Sequence, residues 1–217
     1  MKKSLLVLTI SALIAAFLVI WGEYFGPQFQ VYIFKPLTMV FIIAIALLVR
    51  EPKTYFYKFA IISGLIFSLC GDIFLMLPSD QFIAGLISFL IAHIMYIIAF
   101  MRGRPRQYKF ILLIPFVIYG IIIFSMLSAH LGNLKIPVLV YIVVILIMGW
   151  QATDRWRFYR DQAALIAFVG AMLFILSDTI LALNRFRAAF ELGRLLTLST
   201  YFTAQWFIAC SIHRKLL

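Results

Sequence analysis

Two carboxylates sit inside otherwise apolar runs: Asp72 in SLCGDIFLML (residues 68–77) and Asp178 in FILSDTILAL (174–183). A lysine, Lys35, is placed in the same way in FKPLT (34–38). Two acids held close together cannot both ionise cheaply, so such a pair presents an acid and a base side by side. General acid–base hydrolysis requires that arrangement, and a lysine beside one acid would keep that one ionised. The plainer reading is a structural Lys–Asp bridge, with the second acid snorkelling or capping a helix. The choice depends on whether the elements that carry the three residues bring them together.

Those elements cross a membrane. The 217 residues are 65% hydrophobic and only 12% charged, about half the charged fraction of a soluble domain. Mean hydropathy is +1.07. Apolar runs near the ~20 residues that span a bilayer recur along the chain. They predict eight helices, at 4–20, 31–49, 58–77, 81–101, 109–128, 134–151, 162–183 and 193–212. The runs are apolar all round, as suits helices that face lipid or one another. The opening MKKSLLVLTISALIAAFLVIW has a long apolar stretch and no small-x-small cleavage site, so it reads as a retained first span. The expected fold is all-α and polytopic, with a single integral membrane domain over residues 1–217. Cys70 and Cys210 both fall within spans, so neither a disulfide nor a metal site is expected. No cofactor is expected either.

The net charge of +11 has no soluble basic domain to present it to nucleic acid, and topology accounts for it better. The N-terminus (Lys2, Lys3), the 2–3 loop (Arg50, Lys53, Lys58), the 4–5 loop (Arg102, Arg104, Arg106, Lys109), the 6–7 loop (Arg155, Arg157, Arg160) and the C-terminus (Arg214, Lys215) hold most of the basic residues. The opposite loops hold Lys135, Arg185, Arg187 and Arg194. Positive charge stays inside, so both termini should be cytoplasmic. The Arg185–Arg194 cluster runs against the trend. It reads as a receptor for lipid phosphates or as a tolerated interfacial cluster.

Direction converts sequence into depth. Asp72 and Asp178 each lie five residues before the outer end of an outward-running span, and Lys35 about four after the start of an inward one. At 1.5 Å per residue all three sit ~6–8 Å below the outer hydrocarbon boundary. A lone charge there costs on the order of 2–3 kcal/mol or more, so each should face the bundle interior and find a partner. The surroundings of the two acids also match. Gly64 and Gly170 each lie eight residues before an acid, and a shift of 108 takes Phe82 and Gly85 to Phe190 and Gly193 and His93 to Tyr201. A shift of 106 takes Lys35 to Tyr141. These matches suggest two parallel four-helix repeats, 1–106 and 107–217.

Deeper polar residues come in pairs, His93 with Tyr96 and Tyr201 with Gln205, each on one helix face. His93 lies ~18 Å along its span, near the membrane centre. It could bond an aspartate or a substrate, or simply pack between helices. A lone central histidine makes no zinc site.

FKPLT (34–38), SLCGDIFLMLP (68–78), FLIAHIMYIIAF (89–100), LFILSDTILAL (173–183) and YFTAQWFI (201–208) together resemble the YhhN family of membrane proteins, whose characterised members are lysoplasmalogenases. The resemblance implies an eight-helix hydrolase that cleaves the vinyl ether bond of lysoplasmalogens to a fatty aldehyde and glycerophosphoethanolamine or -choline. It implies Asp72 and Asp178 as the catalytic acids, with Lys35, His93, Tyr96, Tyr201 and Gln205 lining the substrate pocket. The partners would be a lysophospholipid substrate and membrane lipids. The competing class is a proton-coupled carrier or lipid-binding protein, since acids in spans and parallel repeats also occur in transporters. A carrier usually shows helices interrupted by Gly or Pro, and no such pair stands out here.

Overall fold

The computed structural model describes residues 2–52, 54–103 and 109–213. Among them are eight α-helices and no strand: α1 (Lys2–Tyr24), α2 (Gln28–Leu47), α3 (Tyr55–Met76), α4 (Phe82–Met101), α5 (Ile114–Ser128), α6 (Lys135–Tyr159), α7 (Gln162–Phe186) and α8 (Gly193–Cys210). Short 3-10 turns lead into α5 and α6. Seven of the stretches are long and apolar enough to cross a bilayer, and the protein is an integral membrane protein. The eighth, α8, carries Arg194, Ser199, Tyr201 and Gln205 within its 18 residues. Of these, Tyr201 and Gln205 are spent on the interior. Of the basic residues that set the expected orientation, Lys53, Arg104, Arg106, Arg214 and Lys215 lie outside the described residues.

Helices α1–α2, α3–α4 and α7–α8 pack as antiparallel hairpins, while α4 meets α6, α6 meets α7 and α8 meets α2. The result is a ring of α2, α3, α4, α6, α7 and α8, with α1 laid against α2 and α8, and α5 against α6 and α7. Lipid tails are as apolar as leucine, so helices here associate through close packing rather than water exclusion. Two glycines make that approach possible. A Cβ on Gly64 of α3 would stand 2.2 Å from Cε1 of Tyr96 on α4, and one on Gly170 of α7 would stand 3.0 Å from the Ala204 carbonyl oxygen on α8.

The acid-bearing helices begin with side-chain caps. Thr54 accepts from the Tyr57 amide at 3.1 Å ahead of α3, and Asp161 from the Ala164 amide at 2.8 Å ahead of α7, each satisfying an orphan amide of the first turn. Helix α6 runs to Tyr159, about two turns beyond the predicted end at 151, and closes on Arg160 at φ 49°. Its charged extension is held because Arg155, expected in a loop, is buried. It donates to the Phe100 and Arg102 carbonyls at 3.3 and 3.0 Å, and its guanidinium stacks on Tyr57 and Tyr159. Pro36, expected near a helix start, lies inside α2. It removes the amide that would bond the carbonyl four residues earlier, just where Lys35 leaves the backbone.

Candidate active site

A cavity of about 790 Å³ occupies one half of the ring. It is lined at its floor by Asp72 of α3, Asp178 of α7, Lys35 of α2, Tyr141 of α6 and Tyr201 of α8. The three charged residues placed in one layer by depth alone therefore share one hollow. Lys35 Nζ stands 3.3 Å from Asp72 Oδ1, with the side chains 13% and 2% exposed. The Tyr201 hydroxyl donates to Asp72 Oδ2 at 2.5 Å. The Tyr141 hydroxyl donates to Asp178 Oδ2, and the two carboxyl groups lie within electrostatic range of each other. The acids are unequal: Asp72 faces a cation, whereas among the described residues Asp178 has only a neutral hydroxyl donor in view.

His93, Tyr96 and Gln205 do not line the cavity; they are fully buried in the layer beneath it. The Tyr96 hydroxyl donates to Gln205 Oε1 at 2.8 Å, which ties α4 to α8. The His93 ring packs edge-on to Tyr141 and Phe174, at centroid distances of 5.2 and 4.7 Å. Neither of its nitrogens has a hydrogen-bond partner among the described residues. This layer supports the floor: His93 backs Tyr141, and Tyr201 stands one turn from Gln205 on α8.

Beyond the acids the walls divide. Leu75, Leu86, Ile123, Leu127, Val138 and Ile142 make an apolar side between α3, α4, α5 and α6. Glu23, Gln28, Asn184, Arg185 and Arg194 surround the mouth. There Arg194 Nη1 pairs with Glu23 Oε2 at 2.5 Å, while Arg185 pairs with Asp80 at 2.8 Å and lies over the Phe82 ring. Of the three outer arginines, Arg187 alone is absent from the lining. Sequence reasoning missed Tyr141 as an acid's partner, Glu23 at the mouth, and the Tyr119–Thr179 hydroxyl pair (2.8 Å) that joins α5 to α7 beside Asp178. For Tyr141 a signal existed, since the 106-residue shift lays it on Lys35.

Fold and site together define a polytopic helical membrane protein with a paired-acid cavity that is polar at one end and oily at the other. The chain belongs to the YhhN family, whose sequence model matches residues 30–212. It is 26% identical over 204 residues to a protein of Escherichia coli O6:H1 named "uncharacterized membrane protein YhhN", covering 94% of this chain and 97% of that one. It is 36% identical over 157 residues to lysoplasmalogenase TMEM86A of Bos taurus, covering 68% of this chain and 62% of that one. The match to lysoplasmalogenase TMEM86B of Homo sapiens is 30% over 158 residues, covering 70% and 62%. No solved structure matches significantly.

Proposed function

We propose that this protein is a membrane hydrolase that cleaves the vinyl ether bond of lysoplasmalogens, with Asp178 as the acid and Asp72 as the base. The observation that carries the reading is the unequal pair of acids in one cavity, Asp72 facing Lys35 and Asp178 facing Tyr141. The names of the mammalian relatives support the substrate class. An amphiphile with one hydrocarbon chain matches the divided walls, with its tail against Ile123, Leu127 and Val138 and its headgroup toward the mouth.

The chemistry balances across the two acids. Tyr141 bonds Oδ2 of Asp178, which leaves Oδ1 to carry the proton. Asp178 delivers that proton to the vinyl carbon remote from oxygen, so the double bond becomes a C–H bond and an oxocarbenium ion forms. The Asp72 carboxylate, held ionised by Lys35, stabilises the cation and takes a proton from the water that adds to it. The resulting hemiacetal collapses as Asp72 returns that proton to the glycerol oxygen and Asp178 recovers one from the hemiacetal hydroxyl. Fatty aldehyde and glycerophospho-alcohol leave, and both acids are restored to their starting states. His93, Tyr96 and Gln205 act from beneath as supports rather than as contacts to substrate.

The test is aldehyde release from a lysoplasmenyl lipid by purified protein and its Asp72→Asn and Asp178→Asn variants. Loss of one acid–base partner should slow release at least ~100-fold. A near-normal rate in either variant removes that residue from the scheme. Lipid that crosses sealed vesicles unaltered, with no aldehyde formed, would establish the carrier instead. We also propose that both termini are cytoplasmic, which places the cavity mouth at the outer interface.

A further inference from the structure

Glu23 is a carboxylate that the hydrolytic scheme does not use. It sits on the last turn of α1, outside the stretch matched by the family model, yet it lines the cavity mouth. Its side chain is 20% exposed against 65% for its partner Arg194, so the acid is set into the wall while the arginine that pairs with it reaches toward the outside at the rim. The end of α1 is pinned there. The Tyr24 hydroxyl donates to the Glu191 carbonyl at 2.7 Å and accepts from the Leu195 amide at 3.2 Å. Two contacts thus hold Glu23 against the start of α8, independently of its own ion pair.

The charged groups of the cavity are Asp72, Asp178 and Lys35 at its floor and Glu23, Arg185 and Arg194 at its mouth. Only about five bonds, roughly 6 Å, separate a vinyl ether oxygen from the phosphorus of a lysophospholipid. Lys35, Arg194 and Glu23 all line this one cavity, so cations for a phosphate and a carboxylate for a terminal ammonium two carbons further on share the hollow with the acids. We propose that Glu23 and Arg194 form a zwitterion clamp, in which Arg194 takes the phosphate and Glu23 the ammonium, and that Glu23 makes the site prefer zwitterionic headgroups. The assignment rests on the lysophospholipid reading above. The Glu23–Arg194 pair opens as the ligand's two charges replace each partner in turn, so the half-buried carboxylate never lies unpaired.

The experiment uses full-length protein in detergent micelles and saturated alkyl-ether lysophospholipids, which bind but cannot be cleaved this way. Affinities are read from tryptophan fluorescence for phosphoethanolamine, phosphate-monoester and phosphopropyl headgroups, the last replacing the ammonium by a methyl group. Wild type should bind the phosphoethanolamine lipid about tenfold more tightly than the phosphopropyl one, as one charge-assisted hydrogen bond provides. Glu23→Gln should erase that difference and Glu23→Asp should keep it. Equal wild-type affinity for the two, or a Glu23→Gln effect of the same size on all three headgroups, overturns the clamp. The wild-type comparison stands even where a variant fails to fold. A preference that persists in protein releasing no aldehyde from vinyl ether lipid removes the hydrolase and leaves the clamp. Normal aldehyde release with no headgroup preference does the reverse.

Discussion

The pairing of Lys35 with Asp72 makes a quantitative prediction that a double-mutant cycle can read. At 3.3 Å and an effective dielectric near 20, two unit charges attract by about 5 kcal/mol, against which stands the cost of desolvating both ions. Lys35→Met leaves the Asp72 carboxylate buried, with the Tyr201 hydroxyl as its remaining donor. An uncompensated buried charge of that kind costs about 3–5 kcal/mol. Asp72→Asn is milder, about 1–2 kcal/mol, because the Lys35 stem can turn its head toward the mouth. The double variant removes both charges, and a buried pair replaced as a unit is often close to neutral. Equilibrium unfolding of all four proteins in mixed micelles should therefore give a coupling energy of about 4–7 kcal/mol, the sum of the two single losses that the double variant avoids. In parallel, Lys35→Met should lose aldehyde release, and adding it to Asp72→Asn should cost no further activity, because the same carboxylate is already gone. Unfolding energies that add to within ~0.5 kcal/mol would show that the two residues do not act as a pair, and the distinction between the acids would go with them.

Tyr141→Phe removes the donor to Asp178 but keeps the ring against His93. Aldehyde release should fall by roughly tenfold, the size of one hydrogen bond to a charged or reacting group, and stability much less; an unchanged rate would show that the hydroxyl does not orient the acid. Gly64→Ala should destabilise by about 2 kcal/mol, since its methyl meets the Tyr96 ring on a packed helix interface. Gly120→Ala, where a Cβ would stand 2.6 Å from the mobile end of Leu146, should cost under about 1 kcal/mol; equal losses in thermal or denaturant unfolding would refute the packing explanation. With Cys70 and Cys210 replaced, a single cysteine at position 133 should be labelled in sealed cells by an impermeant thiol reagent and one at position 4 only after permeabilisation, and the reverse pattern overturns the orientation.

Asp72, Asp178 and Lys35 were legible in the sequence because an ionisable group in an apolar run must be solvated by the protein itself. Helix direction fixed their common depth. His93, Tyr96 and Gln205 were legible as inward-facing, and Tyr96 does meet Gln205. Their distance along the helices, one turn or more below the acids, carries them beneath the cavity rather than into its wall. Tyrosine is unremarkable in a membrane span, so Tyr141 announced nothing by its type. Glu23 lay beyond the predicted end of the first span at residue 20. Only the extra turn of α1 to Tyr24 carries it over the cavity. Arg155 failed in the opposite sense: an arginine after an apolar run reads as loop, and only the α4 carbonyls and two aromatic rings explain its burial.

The arrangement around the acids gives the internal similarity a chemical meaning. Lys35 reaches from α2 to the acid of α3, and Tyr141 from α6 to the acid of α7, the pair that the 106-residue shift superposes. This supports the proposal that residues 1–106 and 107–217 are repeats, although the join at 106/107 lies outside the described residues. In a fully symmetric scaffold the two carboxyl groups would be equivalent, and nothing would decide which of them is ionised. A lysine in one half and a tyrosine at the matching place in the other break that tie. In the proposed scheme the cation fixes the negative charge on Asp72, and a neutral donor leaves Asp178 free to hold and release a proton. Exchanging the two side chains, as Lys35→Tyr with Tyr141→Lys, should therefore exchange the roles of the acids rather than abolish both. Aldehyde release surviving at a reduced rate in that double variant, and collapsing in each single one, is the outcome this asymmetry requires.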